Sequence, residues 1–196
     1  QLNTLIPALR ELLGHVMKQE GRGDIIINYP YESCDIVFAL PGRPDLKAHE
    51  KLIAFAEKNN IARISWLDKD SPEPEPIAQR RSVTTYFSDV ALDLPPAPFL
   101  QPSKEGENAL ITFALSALTH EKKILDLYAG CGSFTFALAQ QGVVHAVETN
   151  PFALKALERA AGRGNVGGRI TTEVLDLDRQ PLMGKELGKY DCVLFD

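Results

Sequence analysis

Cysteine is scarce in this sequence. There are three, Cys34, Cys131 and Cys192, an odd number with no C-x-x-C pair among them. That spacing offers neither a disulfide framework nor a zinc-type ligand set, and it points to reduced thiols in a cytoplasmic setting. The four histidines, His15, His49, His120 and His145, stand apart from one another. Surface or ordinary core roles are expected of them, and no metal. Positive charge is in the minority, with 21 Lys and Arg against 26 Asp and Glu, a formal net charge of −5. Nucleic-acid affinity comes largely from neutralised phosphates, so this composition argues against the chain alone being a strong polyanion binder, while leaving room for a local basic patch. Long apolar runs are missing too: none reaches the length needed to cross a bilayer. The N-terminal QLNTLIPALRELL lacks the basic start and small-residue cleavage site of a signal peptide. No membrane partner is expected, and a monomer is. What is present suffices for packed cores: 44% of the 196 residues are hydrophobic, enough for one or two domains.

One stretch organises the rest, Lys123 to Asn150, KILDLYAGCGSFTFALAQQGVVHAVETN. It reads as a strand ending near Asp126, a glycine turn (Ala129-Gly130-Cys131-Gly132-Ser133), a helical patch from Phe134 to Gln141, and a second strand ending on Glu148. That order is the first half of a doubly wound nucleotide-binding fold. Glycine lets the backbone turn tightly and approach a ligand without a Cβ in the way. An acid at the end of the second strand can accept hydrogen bonds from both ribose hydroxyls, and Glu148 lies 18 positions after Gly130. Dinucleotides and S-adenosylmethionine both use this design. The dinucleotide pattern G-x-G-x-x-G wants a third glycine where Thr135 stands, and the carboxylate of Asp126 would repel a pyrophosphate. A ligand with an ammonium and a sulfonium suits that carboxylate better. A structural glycine turn with no ligand is the plainer alternative.

The remaining chain falls into order around this unit. Leu5, Leu9, Leu12 and Val16 form one stripe of a helix over 2–17. Strands over 24–28 and 34–40 are expected to pair as a hairpin, followed by a helix over 46–58 and a strand over 61–66. LDKDSPEPEPI, 67–77, reads as an exposed loop with room for a short strand near Ile77, and Gln79-Arg80-Arg81 as a solvated basic edge. A second hairpin is expected over 83–94 around Ser88-Asp89. Pro95-Pro96-Ala97-Pro98 is a stiff connector, and Ser103 an N-cap for a helix to Leu118 with Leu110, Phe113, Ala114 and Ala117 as its apolar positions. After the organising stretch, Asn150-Pro151 starts a helix to about Ala161. A third strand over 170–175 ends at Asp176 and a fourth over 190–196 ends at Asp196, with a helix or loop between them. The expected division is a small central α/β domain over 1–95 and a second domain over 96–196. An exposed edge on the fourth strand would be a liability, so further chain beyond Asp196 is expected.

Several of these segments together resemble a known family. Phe99-Leu100-Gln101-Pro102-Ser103, Ile124-Leu125-Asp126-Leu127-Tyr128-Ala129-Gly130-Cys131-Gly132-Ser133-Phe134, Ala146-Val147-Glu148 and Asp191-Cys192-Val193-Leu194-Phe195-Asp196 look like the S-adenosylmethionine-dependent RNA uracil-C5 (5-methyluridine) methyltransferases of bacterial rRNA and tRNA. The F-x-Q-x-x segment ahead of the glycine loop separates that family from other class I methyltransferases. The resemblance covers about residues 85–196. It implies an α/β fold, a class I Rossmann-like doubly wound sheet, incomplete here, behind a small central domain. It implies S-adenosyl-L-methionine as cofactor and RNA as partner, rRNA ahead of tRNA. Cofactor contacts are implied for Gln101, Asp126, Tyr128, Gly130, Gly132, Ser133, Glu148, Asp176 and Asp196, and substrate contacts for Phe99 and Asp196. In the family a thiolate attacks uracil C6, C5 takes the sulfonium methyl and a base removes the C5 proton, on a base flipped out of its stack. The family nucleophile lies in an S-C-N-P-like motif, with the base later still. Cys34, Cys131 and Cys192 do not match that motif, so no catalytic residue is expected in these 196 residues, which alone should be inactive. Two alternatives stand beside this reading. One is a class I methyltransferase acting on another RNA position or on protein. The other is a non-catalytic nucleotide-binding module or a dinucleotide-dependent enzyme.

Overall fold

The computed structural model describes residues 2–17, 21–31, 33–68, 70–71, 73–119, 122–164 and 166–195. The chain forms two compact units, Gln1–Thr84 and Thr85–Asp196. The first holds α1 (Leu2–Val16), β1 (Asp24–Asn28), β2 (Asp35–Ala39), α2 (Leu46–Lys58), β3 (Arg63–Leu67) and β4 (Glu75–Gln79). Its sheet runs β1-β2-β3-β4. β1 and β2 form the expected antiparallel pair, α2 carries the chain into β3 parallel to β2, and β4 returns antiparallel. α2 starts where the Asp45 carboxylate accepts the Ala48 N–H at 2.8 Å, satisfying one of the helix's free amides. The core gathers Leu9 and Leu12 of α1, Leu52 and Phe55 of α2, and Ile36, Phe38, Ile64 and Trp66 of the sheet. Each fully buried side chain of this size contributes roughly 1.5–3 kcal/mol. One buried charge pair crosses the sheet: the Arg63 guanidinium grips Asp35 through Nε at 2.8 Å and Nη2 at 2.9 Å.

The sequence left room for a short strand near Ile77, and β4 is that strand; Pro76 is tolerated there because β4 is an edge of its sheet among the described residues. Arg80 is exposed and Arg81 half-buried, the basic edge read from the sequence, and both also bond to backbone. Arg80 Nη1 donates to the carbonyls of Ala56 and Ile61 at 3.4 Å, and Arg81 Nη2 to that of Asn60 at 2.9 Å. Together they close the carboxyl end of α2, where cations and donors are favoured.

The second unit opens with a hairpin, β5 (Thr84–Phe87) and β6 (Val90–Asp93), then α3 (Lys104–Ser116), β7 (Lys123–Leu127), α4 (Thr135–Leu138), β8 (Val143–Glu148), α5 (Pro151–Arg163), β9 (Ile170–Val174), α6 (Gly184–Leu187) and β10 (Cys192–Phe195). Ser88 and Asp89 both take positive φ, +47° and +67°, the two-residue turn that matches strand twist. The hairpin belongs with this unit and not with the first, so the contacts divide the chain at 84/85 where the sequence suggested 95. The cause is α5: Arg163 pairs with Asp93 at 3.1 Å, and Val90 packs over Gly164.

The main sheet is all parallel, in the order β10-β7-β8-β9. β7 is flanked by a strand on each side, and after the exposed Lys123 all its residues are buried: Ile124, Leu125 and Leu127, with Asp126 among them. Asp191 anchors its start: one carboxylate oxygen accepts the N–H groups of Lys122 and Lys123, both at 2.9 Å. The chain moves outward from β7 to β8 to β9, then crosses back to place β10 on the other side of β7. Sheets of this kind bind ligands at the carboxyl ends of their strands beside that reversal. α3 turns a different face inward from the one expected. Ile111, Ala114, Leu115 and Leu118 pack on the core, whereas Leu110 and Phe113 are exposed. Both stripes have helical spacing, and only the packing partner decides between them.

Candidate functional site

The loop after β7 is built from three residues in left-handed backbone, Tyr128 (φ +57°), Gly130 (+55°) and Gly132 (+95°). The two glycines do different work. A Cβ on Gly132 would stand 2.9 Å from Leu157 Cδ1 and from Phe136 Cε2, so this glycine lets α4 and α5 close on the loop. A Cβ on Gly130 would meet no protein atom within 4 Å, so this glycine faces open space. Tyr128 has a Cβ, and left-handed backbone costs such a residue about 1–2 kcal/mol. Its ring is held in return: the hydroxyl donates to Asp178 Oδ1 at 3.0 Å, and the ring meets Phe195 edge-on at 5.3 Å. The Asp178 bond is also the main reason that the phenol titrates above its usual range.

Asp126 is buried beneath the loop, where its Oδ2 accepts the Thr135 hydroxyl at 2.5 Å. Thr135 therefore stands in the third-glycine position as a donor to Asp126. Glu148 ends β8 with both carboxylate oxygens oriented by backbone. Oε2 accepts the Gly130 N–H and Oε1 the Asn150 N–H, each at 2.8 Å. Each oxygen keeps a further lone pair for an outside donor. Asn150 in turn caps α5, its Oδ1 accepting the N–H groups of Phe152 at 2.9 Å and Ala153 at 3.3 Å.

These elements surround one cleft. Pro95, Ala97, Pro98, Phe99, Leu100 and Gln101 line it from the connector, Tyr128–Cys131 and Ser133 from the loop, and Phe87, Glu107, Glu148, Asn150 and Ala153 complete it. Among the described lining residues are two carboxylates, Glu107 and Glu148, and no Lys, Arg or His. Cys131 is buried, and burial, reinforced by the charge of Glu148, pushes its thiol up to about 12. It therefore keeps its proton at neutral pH and offers no thiolate.

Of the residues singled out from sequence, Phe99, Gln101, Tyr128, Gly130, Ser133 and Glu148 come together in this cleft. Asp126 and Gly132 do not line it; they support the loop from behind. Asp176 does not line it either: its carboxylate accepts the Arg179 N–H at 3.2 Å and pairs with the Arg179 side chain at 3.3 Å. Asp196 and His120 lie outside the described residues. Glu107, Asn150 and Phe87 line the cleft without having been expected. Asn150 was visible as a helix cap. Glu107 follows the Ser103 cap by one turn, but no local pattern marks it.

No family model matches the chain. Individual proteins do. An uncharacterized RNA methyltransferase of Mesorhizobium japonicum is 39% identical over 153 residues, which is 77% of this chain and 36% of that protein. One of Brucella melitensis is 33% identical over 79% of this chain and 36% of its own. The chain is thus similar to RNA methyltransferases along most of its length, and it spans little more than a third of the length of these two relatives, 36% of each. A further relative, the 23S rRNA (uracil(1939)-C(5))-methyltransferase of Aeromonas hydrophila, is 29% identical over 100% of this chain and 44% of its own. The resemblance to uracil-C5 methyltransferases seen in the sequence is thus borne out. Among solved structures, the Pyrococcus abyssi tRNA (uracil-54, C5)-methyltransferase in complex with S-adenosyl-L-homocysteine superposes with a TM-score of 0.65 at 19% identity, covering 98% of this chain and 50% of that one. That likeness bears out the fold class, a class I methyltransferase sheet behind a smaller α/β unit.

Proposed function

We propose that this chain carries the S-adenosyl-L-methionine-binding part of an RNA methyltransferase whose target is C5 of a uridine, in rRNA ahead of tRNA. The observation that carries the reading is the cleft itself, lined by two carboxylates and no cation beneath a glycine turn. Such a lining repels a pyrophosphate and favours a ligand with an ammonium and a sulfonium. The residues present fit that cofactor. Glu148, preset by two backbone N–H groups, has lone pairs left for two ribose hydroxyls. Gly130 offers backbone that a ligand can approach closely. Tyr128, Ser133 and Gln101 line the same cleft, and Asp126 and Gly132 hold the loop in shape. Asp176 and Asp196, which follow β9 and β10 in the sequence, complete the proposed cofactor set, with Phe99 and Asp196 proposed for the uracil. Phe99 is 81% exposed, as a side chain that meets an incoming base should be.

When bound, the cofactor supplies the methyl group. This chain's own part is to orient the cofactor through the loop and Glu148, while Phe99 presents an aromatic face to the flipped base. The uracil-C5 target rests on the F-x-Q-x-x segment in the cleft and on the similarity to the Aeromonas 23S rRNA uracil-C5 methyltransferase. A polypeptide of these 196 residues alone has no S-C-N-P-like thiolate, and we expect it to bind cofactor without methylating RNA. We place the protein in the cytoplasm, as a monomer; among the described residues no helix is long and apolar enough to cross a membrane.

Isothermal titration with S-adenosylhomocysteine and with NADH tests the reading. S-adenosylhomocysteine should bind, and Glu148→Ala should weaken it by about 10- to 100-fold, the range for hydrogen bonds to a charged group. Tighter binding of NADH, lost in Glu148→Ala, would overturn it.

A further inference from the structure

Glu107 is a charged side chain that neither the sequence nor the family pattern brings forward. It sits in the first turn of α3 and is only 5% exposed, yet it lines the cleft. Among the described residues its carboxylate pairs with Lys104, three residues earlier, and the ammonium of Lys104 is shared. Lys104 also donates to the Tyr86 carbonyl at 2.7 Å and lies over the Phe87 ring at 5.4 Å. The lysine thus ties α3 to the hairpin without lining the cleft, while the carboxylate of Glu107 does line it. Glu148 has its two oxygens fixed by Gly130 and Asn150 in a geometry suited to a diol. Among the described residues the Glu107 carboxylate has Lys104 as its partner and no such backbone clamp. A ligand that fills this cleft removes the remaining water from Glu107, which is costly unless the ligand brings a compensating positive charge.

We propose that Glu107 is the residue that receives the α-ammonium of the cofactor's amino-acid moiety, and so sets the cleft's preference for a cationic ligand. The inference rests on the proposed cofactor reading and adds a division of labour to it: Glu148 holds the ribose, Glu107 the cation. An ammonium donates up to three hydrogen bonds, so it can satisfy Glu107 while Lys104 keeps its own contacts on the hairpin.

The test is a set of titrations on the purified chain with S-adenosylhomocysteine, which has the ammonium, and 5′-methylthioadenosine, which lacks the amino-acid part. Glu107→Gln should weaken S-adenosylhomocysteine about 10-fold, the difference between a charge-assisted and a neutral hydrogen bond. It should leave methylthioadenosine unchanged. Lys104→Gln breaks the ion pair but keeps the carboxylate, so it should leave S-adenosylhomocysteine at least as tightly bound. Equal losses for both ligands, or matching losses in the two variants, would show that Glu107 only ties α3 to the hairpin. A loss in Glu107→Gln confined to S-adenosylmethionine, sparing S-adenosylhomocysteine, would move the assignment from the ammonium to the sulfonium and overturn it. Failure of the underlying cofactor reading looks different: the unmodified chain then binds neither adenosine ligand.

Discussion

The two glycines of the loop allow a prediction in which stability and binding separate. Gly130→Ala places a methyl at φ +55°, within the left-handed well, where no protein atom lies within 4 Å. The cost is the backbone term alone, about 1 kcal/mol. Gly132→Ala places its methyl at φ +95°, outside that well, and 2.9 Å from both Leu157 and Phe136. Leu157 and Phe136 are fully buried, so neither can retreat into solvent. Adding an overpacking cost of about 1–3 kcal/mol to the backbone term gives about 2–4 kcal/mol. For a unit of this size, 1 kcal/mol shifts Tm by roughly 4–8 °C. Gly130→Ala should therefore melt about 5 °C early and Gly132→Ala about 10 °C early or more. The binding order is reversed: Gly130→Ala, with its methyl in the cleft, should weaken S-adenosylhomocysteine by at least about 10-fold while the fold persists. Thermal melts by far-UV circular dichroism measure the first quantity. The single tryptophan, Trp66, lies in the first unit, so its fluorescence serves as the internal control that should not move. If Gly130→Ala and Gly132→Ala melt together, the steric argument is wrong. If Gly130→Ala binds normally, the open face of the loop is not the ligand face.

Three further outcomes follow from the geometry. Asp35→Ala removes the carboxylate that grips the buried Arg63 guanidinium at 2.8 and 2.9 Å, and should destabilise the first unit by about 3–5 kcal/mol, read by the Trp66 emission in urea. The backbone N–H groups of Lys123 and Lys122 hold the Asp191 carboxyl below its usual 3.8. A depressed folded-state pKa contributes stability above 3.8, lost as pH falls through the lower folded value; Asp191→Asn should remove that part of the acid sensitivity, as acid titrations of the two proteins would reveal. With thiols at about 12 for Cys131 and about 11 for Cys34, neither should react with a disulfide reagent at pH 8 in the native protein; rapid native-state labelling of Cys131, mapped by peptide mass, would contradict its burial.

Much of this was legible in the chain because local chemistry decided it. Ser103 and Asn150 capped helices where the sequence placed them, and the glycine loop lay between β7 and α4 as its order demanded. The failures share one cause, which is that a partner distant in sequence made the choice. β4, for which the sequence only left room, forms because β3 offers it an edge. The inward face of α3 was set by α4 and β7, against two stripes of equal spacing. The β5–β6 hairpin joined the second unit because α5 supplied Arg163 and room at Gly164. Glu107 stayed hidden because its significance lies in the cleft that residues around it enclose.

The order of the sheet also carries a consequence for synthesis. Every described residue lining the cleft lies between 87 and 153, while β9 and β10 come later in the chain and attach at opposite edges of the β7–β8 pair. Chains emerge at about 5–20 residues per second, so these lining residues are made a few seconds before β10 is. The β10–β7 pairing closes a loop of many tens of residues, an entropically slow step, so the cleft's described lining exists before β7 acquires its second neighbour.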